Sequence, residues 1–313
     1  MESSELYHVK QQFILGAYSS LIDLTVPDPN SPDYNPILLY KARAQIAAGN
    51  PEAVEDLVPS DSDDVSLKAV SALARYRAAA EDADKESALE ELRDLCIEIE
   101  GEDVSVDEKQ KGMVRVLAGT AFVWAGEVEE ALETLGAGTN HENLEAVAVT
   151  VQIYLSLNRS DLATKEFNRA KRWAEDDLLL QLIESFIDLV KIDNNAYTNP
   201  NSFYNEQLGN PSLTSPHLLT ARGVTRLLKG DIQGAKSDFE EALTQKPDDA
   251  ETLAALTVAS GLPVSKKAEA EQLWNDLTSK YPQHPLVVEV AKKAELFDDF
   301  ASKFTVPALA TVA

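Results

Sequence analysis

The sequence predicts an all-α solenoid of stacked antiparallel helix pairs, and three observations carry that prediction. The first is a complete helix-turn-helix unit over residues 218–249. Gly223 sits there between two apolar turns, where a close helix crossing leaves no room for a side chain, and Gly230 with Asp231 marks a turn between two helical patterns. Ala235, Phe239 and Ala242 recur at i, i+4 and i+7 and so share one face of the second helix, which Pro247 ends. The second observation is that the unit returns thirty-five residues on, with Ala270, Trp274, Leu277 and Pro282 in the same roles. Leu253 and Leu256 serve the preceding helix, Thr257 stands where Gly223 stood, and the loop at Gly261, Leu262 and Pro263 is longer. Such degeneracy suits a repeat near the end of an array. The third is that strand-type alternation of β-branched residues is almost absent from the chain.

The offsets match the tetratricopeptide pattern, whose period is about 34 residues. From the start of the chain, residues 6–24 read as a hairpin divided near Gly16, and the prolines 27, 29, 32 and 36 make residues 28–36 a loop. Residues 38–47 and 51–57 form a pair joined through Gly49 and Asn50. Another pair covers 67–79, rich in alanine, and 87–99, where Leu89, Leu92 and Leu95 lie above a charged face. Residues 114–124 run through Ala125, Gly126 and Glu127 to Ala131 and Leu135, with Gly136 and Gly138 as terminators. Residues 146–157 are an apolar helix, although 146–153 would pass for a strand in isolation; a polar turn and the small-large-small face of Ala163, Phe167 and Ala170 follow. Residues 194–215 are rich in Asn, Pro and Ser, with Phe203, Tyr204 and Leu208 suited to a short packed helix. The reading amounts to about thirteen to sixteen helices joined by turns short enough for antiparallel neighbours. They form one solenoid domain over 1–313, with the clearest repeats at 144–177, 216–249 and 250–285 and a C-terminal helix at 286–304.

Composition agrees. A chain of 313 residues buries roughly 75% of its unfolded surface, and solenoid repeats share that core pairwise. No run approaches the ~18 apolar residues of a membrane span, and the acidic start MESSELYHVKQQF lacks a secretory pattern. One cysteine, Cys96, excludes an internal disulfide, suits a reducing compartment and reads as an ordinary helix residue. The net charge of −25, from 53 acidic and 28 basic residues, opposes direct contact with nucleic acid or anionic lipid. The densest basic cluster, Lys165, Arg169, Lys171 and Arg172, reads as a solvated helix face. The acidic stretches 56–64 and 98–108 read as loops or surfaces.

Catalytic signatures are missing. His8, His141, His217 and His284 lie in separate segments without metal-ligand spacing, and there is no phosphate loop, HExxH, CxxC or nucleophile elbow. The acidic pairs Glu129/Glu130 and Glu240/Glu241 read as solvated faces. The expectation is a non-enzyme with no cofactor and no metal, which leaves surface as the working part. Stacked pairs present a groove lined by the first helix of each pair. By helix phase the inward candidates are Tyr40, Arg43, Met113, Leu117, Val149, Ile153, Thr220 and Leu227, the apolar ones having inter-repeat packing as their alternative role. Arg43 and Arg222 stand out as charges in otherwise apolar helices.

Several segments resemble the coatomer epsilon subunit family. They are Leu6, Tyr7, His8, Val9 and Lys10 with Phe13, Gly16 and Tyr18; LYKAR at 39–43; AVTVQIYL at 148–155 with LNRSDLA at 157–163; EEAL at 240–243; ETL at 251–253; and HPL at 284–286. The resemblance spans nearly the whole chain and is weakest over 56–108 and after Asn194. It implies a non-enzymatic coat subunit whose repeats wrap and stabilise the C-terminal region of the alpha coatomer subunit. That role belongs to COPI vesicles moving between Golgi and endoplasmic reticulum and within the Golgi. The implied location is cytoplasmic and peripheral on Golgi membranes and coated vesicles, with membrane contact only through the coat and no nucleic-acid partner. A small β-hairpin insertion is also implied; residues 194–215 or 56–66 are the places for it, and neither carries an Asn-Gly or Asp-Gly turn. The chain departs from the family pattern at Arg222, Arg226 and the Gly230, Asp231, Ile232 turn, and in the acidic loop before Gly112. The competing reading is a tetratricopeptide chaperone adaptor holding an acidic C-terminal peptide, which would need Lys, Arg and Asn donors on successive first helices. Arg43, Arg222 and Arg226 are the donors on offer. A repeat-bearing hydrolase or transferase is more distant, because the repeats leave no room for a catalytic domain.

Overall fold

A computed structural model describes residues 3–101, 107–139, 141–191, 197–262 and 267–304. Seventeen α-helices occupy them: α1 (Ser4–Ile14), α2 (Tyr18–Asp23), α3 (Tyr34–Ala47), α4 (Ala53–Leu57), α5 (Val65–Ala78), α6 (Asp82–Glu100), α7 (Glu108–Ala125), α8 (Val128–Thr134), α9 (Leu144–Ser156), α10 (Ser160–Ala170), α11 (Leu178–Val190), α12 (Thr198–Leu208), α13 (Pro216–Leu228), α14 (Ile232–Gln245), α15 (Ala250–Gly261), α16 (Lys267–Lys280) and α17 (Pro285–Ser302). The chain divides into two compact units, 1–218 and 219–313, with the division inside α13. In the first unit α5 packs on α6 and α9 on α10, while α3, α5, α7, α9 and α11 each lie against the next in that series. First helices thus stack on first helices, which is how helix pairs share a core. In the second unit α14 packs on α15 and α15 on α16.

The helices follow the sequence signals with instructive exceptions. Residues 146–153 lie inside α9: Asn143 caps it by accepting the Ala146 N–H at 3.1 Å, and Ala146, Val151 and Ile153 are buried. Burial among neighbouring helices overrides the intrinsic strand preference of its valines. Pro36 falls within the first turn of α3, where the missing N–H would have no intrahelical partner anyway, so the proline-rich loop ends at residue 33. Residues 178–190, which the sequence reading did not single out, form α11, opened by the Asp177 carboxylate accepting from Leu179 N at 2.8 Å. The helix count exceeds the sequence estimate by one, and α11 is the helix that estimate did not name; α2, α4 and α8 are second helices of only 6, 5 and 7 residues. Among the described residues there is no strand: 56–66 holds the end of α4, a turn and the start of α5, and 197–215 holds α12 and turns. Residues 102–106 and 194–196 lie outside the described residues.

Two glycines fix close approaches. Gly223 on α13 faces Phe239 on α14, and a Cβ there would stand 2.4 Å from the ring. Gly16, at φ +74°, makes the α1–α2 turn and lies against His217, whose Cβ would be 2.8 Å from an added methyl. Beside it the Ser215 hydroxyl donates to Leu15 O at 2.7 Å and accepts from Leu218 N at 3.1 Å, capping α13. The first unit therefore joins its opening turn to its last residues across 200 positions of sequence.

Candidate partner interface

In the first unit the groove candidates Tyr40 and Arg43 of α3 and Met113 of α7 meet Glu145 of α9 in one cluster, whereas Leu117, Val149 and Ile153 pack in the neighbouring core. Tyr40 and Arg43 stand one turn apart on α3, and Glu145 lies in the first turn of α9. Arg43 Nη2 donates to Glu145 Oε2 at 2.5 Å, and Tyr40 Oη donates to Glu145 Oε1 at 2.6 Å. The guanidinium also lies 4.3 Å from the centre of the Phe13 ring and 5.0 Å from that of Tyr40, with Nη1 3.4 Å from Met113 Sδ. Phe13 meets Tyr40 edge-on at 5.4 Å and Tyr18 at 5.7 Å. Burial alone would raise the Glu145 carboxyl, but the Arg43 charge and hydrogen bonds from Arg43 and Tyr40 outweigh it and hold it below its ordinary value of 4.5. Burial likewise works against the Arg43 charge, and Glu145 overcomes it, so the guanidinium is held above its ordinary value. The pair is a fixed charge couple that joins α3 to α9 within the protein.

Of the predicted groove residues in this unit, Tyr40, Leu117 and Ile153 are buried, Arg43 is 10% exposed, and Met113 and Val149 are half-buried. Sequence reasoning missed Glu145 and Phe13. A signal for Glu145 was present: it is the one charged residue in the helix LEAVAVTVQIYLS.

The second unit carries a different arrangement. Arg222 Nε and Nη2 grip the Asp238 carboxylate at 3.0 and 2.7 Å, and Arg226 Nη1 reaches the same carboxylate at 2.8 Å and Gly234 O at 3.3 Å. Asp238 is buried at 3% exposure and joins α14 to α13 within one repeat. Thr220 and Thr252 hydroxyls meet at 2.6 Å, and Thr252 also donates to Asp249, the cap of α15. Lys236 pairs with Glu269, which Ser260 also contacts at 3.2 Å. Ala235, Phe239 and Ala242 are buried, Ala235 and Phe239 with Leu256 and Ala259. Ala270, Trp274, Thr220, Arg222 and Leu227 are half-buried, Gly223 is buried, and Pro247 and Pro282 are exposed at helix ends.

Elsewhere the polar residues are tied to structure. Arg169 pairs with Glu166 at 2.8 Å and donates to Thr139 O at 3.0 Å, so the basic face of α10 is partly neutralised. Burial pushes the Cys96 thiol up to about 11, which keeps it protonated and unreactive at neutral pH. His284 caps α17, its Nδ1 accepting from Leu286 N at 3.2 Å. Among the described residues no three His, Cys, Asp or Glu side chains are placed to hold a metal ion, and no helix is long and apolar enough to cross a membrane.

Helix pairs stacked in series, with polar ties between them, define a helical-repeat scaffold. Two solved structures share this fold: the Cut9–Hcn1 hetero-tetramer of the APC/C, at TM-score 0.59 and 15% identity over 93% of this chain and 54% of that one, and a tetratricopeptide repeat protein of Parabacteroides merdae, at TM-score 0.54 and 15% identity over 82% and 96%. The family model of the coatomer epsilon subunit matches residues 2–305, and the chain belongs to that family. Coatomer subunit epsilon-1 of Arabidopsis thaliana is 30% identical over 307 residues, 96% of this chain and 97% of that protein. The probable coatomer subunit epsilon of Schizosaccharomyces pombe is 26% identical over 307 residues, 96% of each chain. Epsilon subunits are non-catalytic structural components of the coat.

Proposed function

We propose that this chain is the subunit that binds and stabilises the C-terminal region of the alpha coatomer subunit in COPI vesicles, serving transport between Golgi and endoplasmic reticulum and within the Golgi. Its location is then cytoplasmic and peripheral on Golgi membranes and coated vesicles, held there by the coat. The observation that carries the reading is the family match along residues 2–305, which extends through both units of the helical array. The charge of −25 supports attachment through protein partners over direct contact with anionic lipid.

In this reading Met113, Val149, Thr220 and Leu227, each half-buried, are the groove residues with surface left to offer a partner. Tyr40 and Arg43 act one step back, holding α3 against α9 through Glu145. The chaperone-adaptor alternative needs free donors for peptide carboxylates, and Arg43, Arg222 and Arg226 are each bound to a carboxylate of the chain itself. Affinity purification with identification of stoichiometric partners tests the choice. Recovery of coatomer subunits supports the proposal; recovery of a chaperone through its terminal peptide sinks it.

A further inference from the structure

Carboxylates follow at +1 and +3 after Ser60, where they are Asp61 and Asp63, and after Ser237, where they are Asp238 and Glu240. The fold treats the two serines differently. Ser237 stands in the middle of α14, and Asp238 after it is buried under Arg222 and Arg226, so neither that backbone nor that carboxylate can be offered to another protein. Ser60 lies outside any helix, in the turn between α4 and α5, and Ser60, Asp61 and Asp63 are all exposed. Among the described residues neither of these carboxylates has an ion-pair partner, and the Ser60 hydroxyl makes no hydrogen bond.

The turn is also lightly held. Pro59, Ser60 and Ser62 border a cavity of about 350 Å³ whose other walls include Val54 of α4 and Leu67 and Ala74 of α5, so this stretch does not close over a filled core. Its own hydrogen bonds are long, Ser62 N to Pro59 O at 3.2 Å and Asp64 N to Ser62 Oγ at 3.3 Å. The anchor comes with Asp64, which accepts from Ser66 N at 2.9 Å and from the Asn35 and Gln110 side chains at 3.0 Å each. A segment fixed at residue 64 and loose before it can be drawn into an extended conformation without unfolding a helix. Ser62 is the poorer acceptor, because its hydroxyl already serves Asp64 N and its +3 residue is Val65, buried at the start of α5.

We propose that Ser60 is a phosphorylation site for an acid-directed protein kinase, one whose substrate groove carries basic side chains for the Asp61 and Asp63 carboxylates. Ser60 Oγ attacks the γ-phosphorus of ATP: the Oγ–P bond forms, the bond from that phosphorus to the β,γ-bridging oxygen breaks, ADP leaves, and the hydroxyl proton passes to the catalytic aspartate of the kinase. Each transfer adds about −1.5 to −2 charges to an acidic turn, which strengthens its attraction for basic surfaces and its repulsion of acidic ones. The test is incubation of the folded full chain with casein kinase II and Mg·ATP, with the product mapped by mass spectrometry. A single phosphate at Ser60 is expected, lost in Ser60→Ala and retained in Ser62→Ala and Ser237→Ala. Asp63→Asn changes an exposed position, so the melting temperature is expected to stay the same while kcat/KM for phosphorylation falls roughly 10–100-fold, the worth of a charge-assisted hydrogen bond. No incorporation into the folded chain, undiminished incorporation in Ser60→Ala, or equal rates for Asp63→Asn and wild type overturns the inference.

Discussion

Arg43 and Arg222 both sit on first helices and both end on a carboxylate, yet their partners lie at very different distances along the chain. Glu145 is 102 positions from Arg43, whereas Asp238 is 16 from Arg222. The near pair ties the two helices of one repeat and adds to contacts that the repeat already makes through Gly223 and Phe239. The far pair ties helices whose relative placement depends on everything folded between them, and it does so amid Phe13, Tyr18, Tyr40 and Met113. A charge pair inside a repeat reinforces local geometry; one between distant repeats fixes how the repeats accumulate.

That contrast breaks most visibly at Arg43. Arg43→Met leaves the Glu145 carboxylate, set among aromatic rings and 23% exposed, without its main counter-charge, at an expected cost of about 3 kcal/mol to the first unit. The Arg43→Met, Glu145→Met double variant removes the orphan charge and recovers much of that loss, apart from the Tyr40–Glu145 hydrogen bond. Urea unfolding of the four proteins in the cycle measures it. Additive single effects would mean that the two groups do not act as a pair.

Gly223→Leu attacks the near tie from the packing side. The Cβ alone would stand 2.4 Å from Phe239, which is fully buried and has no room to retreat. The cost is expected at about 1–3 kcal/mol, confined to the second unit. Amide exchange should quicken in α13 to α15 and remain unchanged in α5 to α9; a uniform acceleration would show that the repeats unfold as one.

Asp238→Asn is milder, at roughly 1–2 kcal/mol, because the amide oxygen still accepts from an arginine and water can take up part of the remaining donors of Arg222 and Arg226. Thermal denaturation checks it. A loss as large as that of Arg43→Met would erase the distinction between near and far pairs.

The same distinction sets what was legible in sequence. Ala235, Phe239 and Ala242, and the turn at Gly230, are encoded by offsets within one repeat, so the α13–α14 pair could be read residue by residue. Periodicity also placed Tyr40, Arg43, Met113, Val149 and Ile153 on inward faces, because phase is a local property. What phase does not encode is which inward faces meet, so the bonds from Tyr40 and Arg43 to Glu145 could not be read from it. The short helices α2 and α4 were legible through the turns at Gly16 and at Gly49 and Asn50, although a helix of two turns or fewer shows too few residues to display a period. α11 was missed although LLLQLIESFIDLV carries its polar residues at 181, 184, 185 and 188, the spacing of one helix face, which is the signal that could have found it.

The smallest effect is graded, and it sharpens the account of the far pair. The Glu145 carboxyl is held below its ordinary value of 4.5 in the folded protein, so in the unfolded chain it takes up its proton at higher pH than in the native one. Stability from this group is therefore fully present above the unfolded value and is lost as pH falls through the depressed folded value. Arg43, held above its ordinary value, contributes no titration in that range. The stability difference between wild type and the Arg43→Met, Glu145→Met variant is thus expected to be constant from neutral pH down to about pH 5 and to narrow at lower pH. Urea midpoints measured at half-unit steps from pH 7 to 3 follow the narrowing. A constant difference through pH 3 would mean that Glu145 titrates alike in the folded and the unfolded chain, and the tie between α3 and α9 would then owe its strength to aromatic packing around Phe13 and Tyr40.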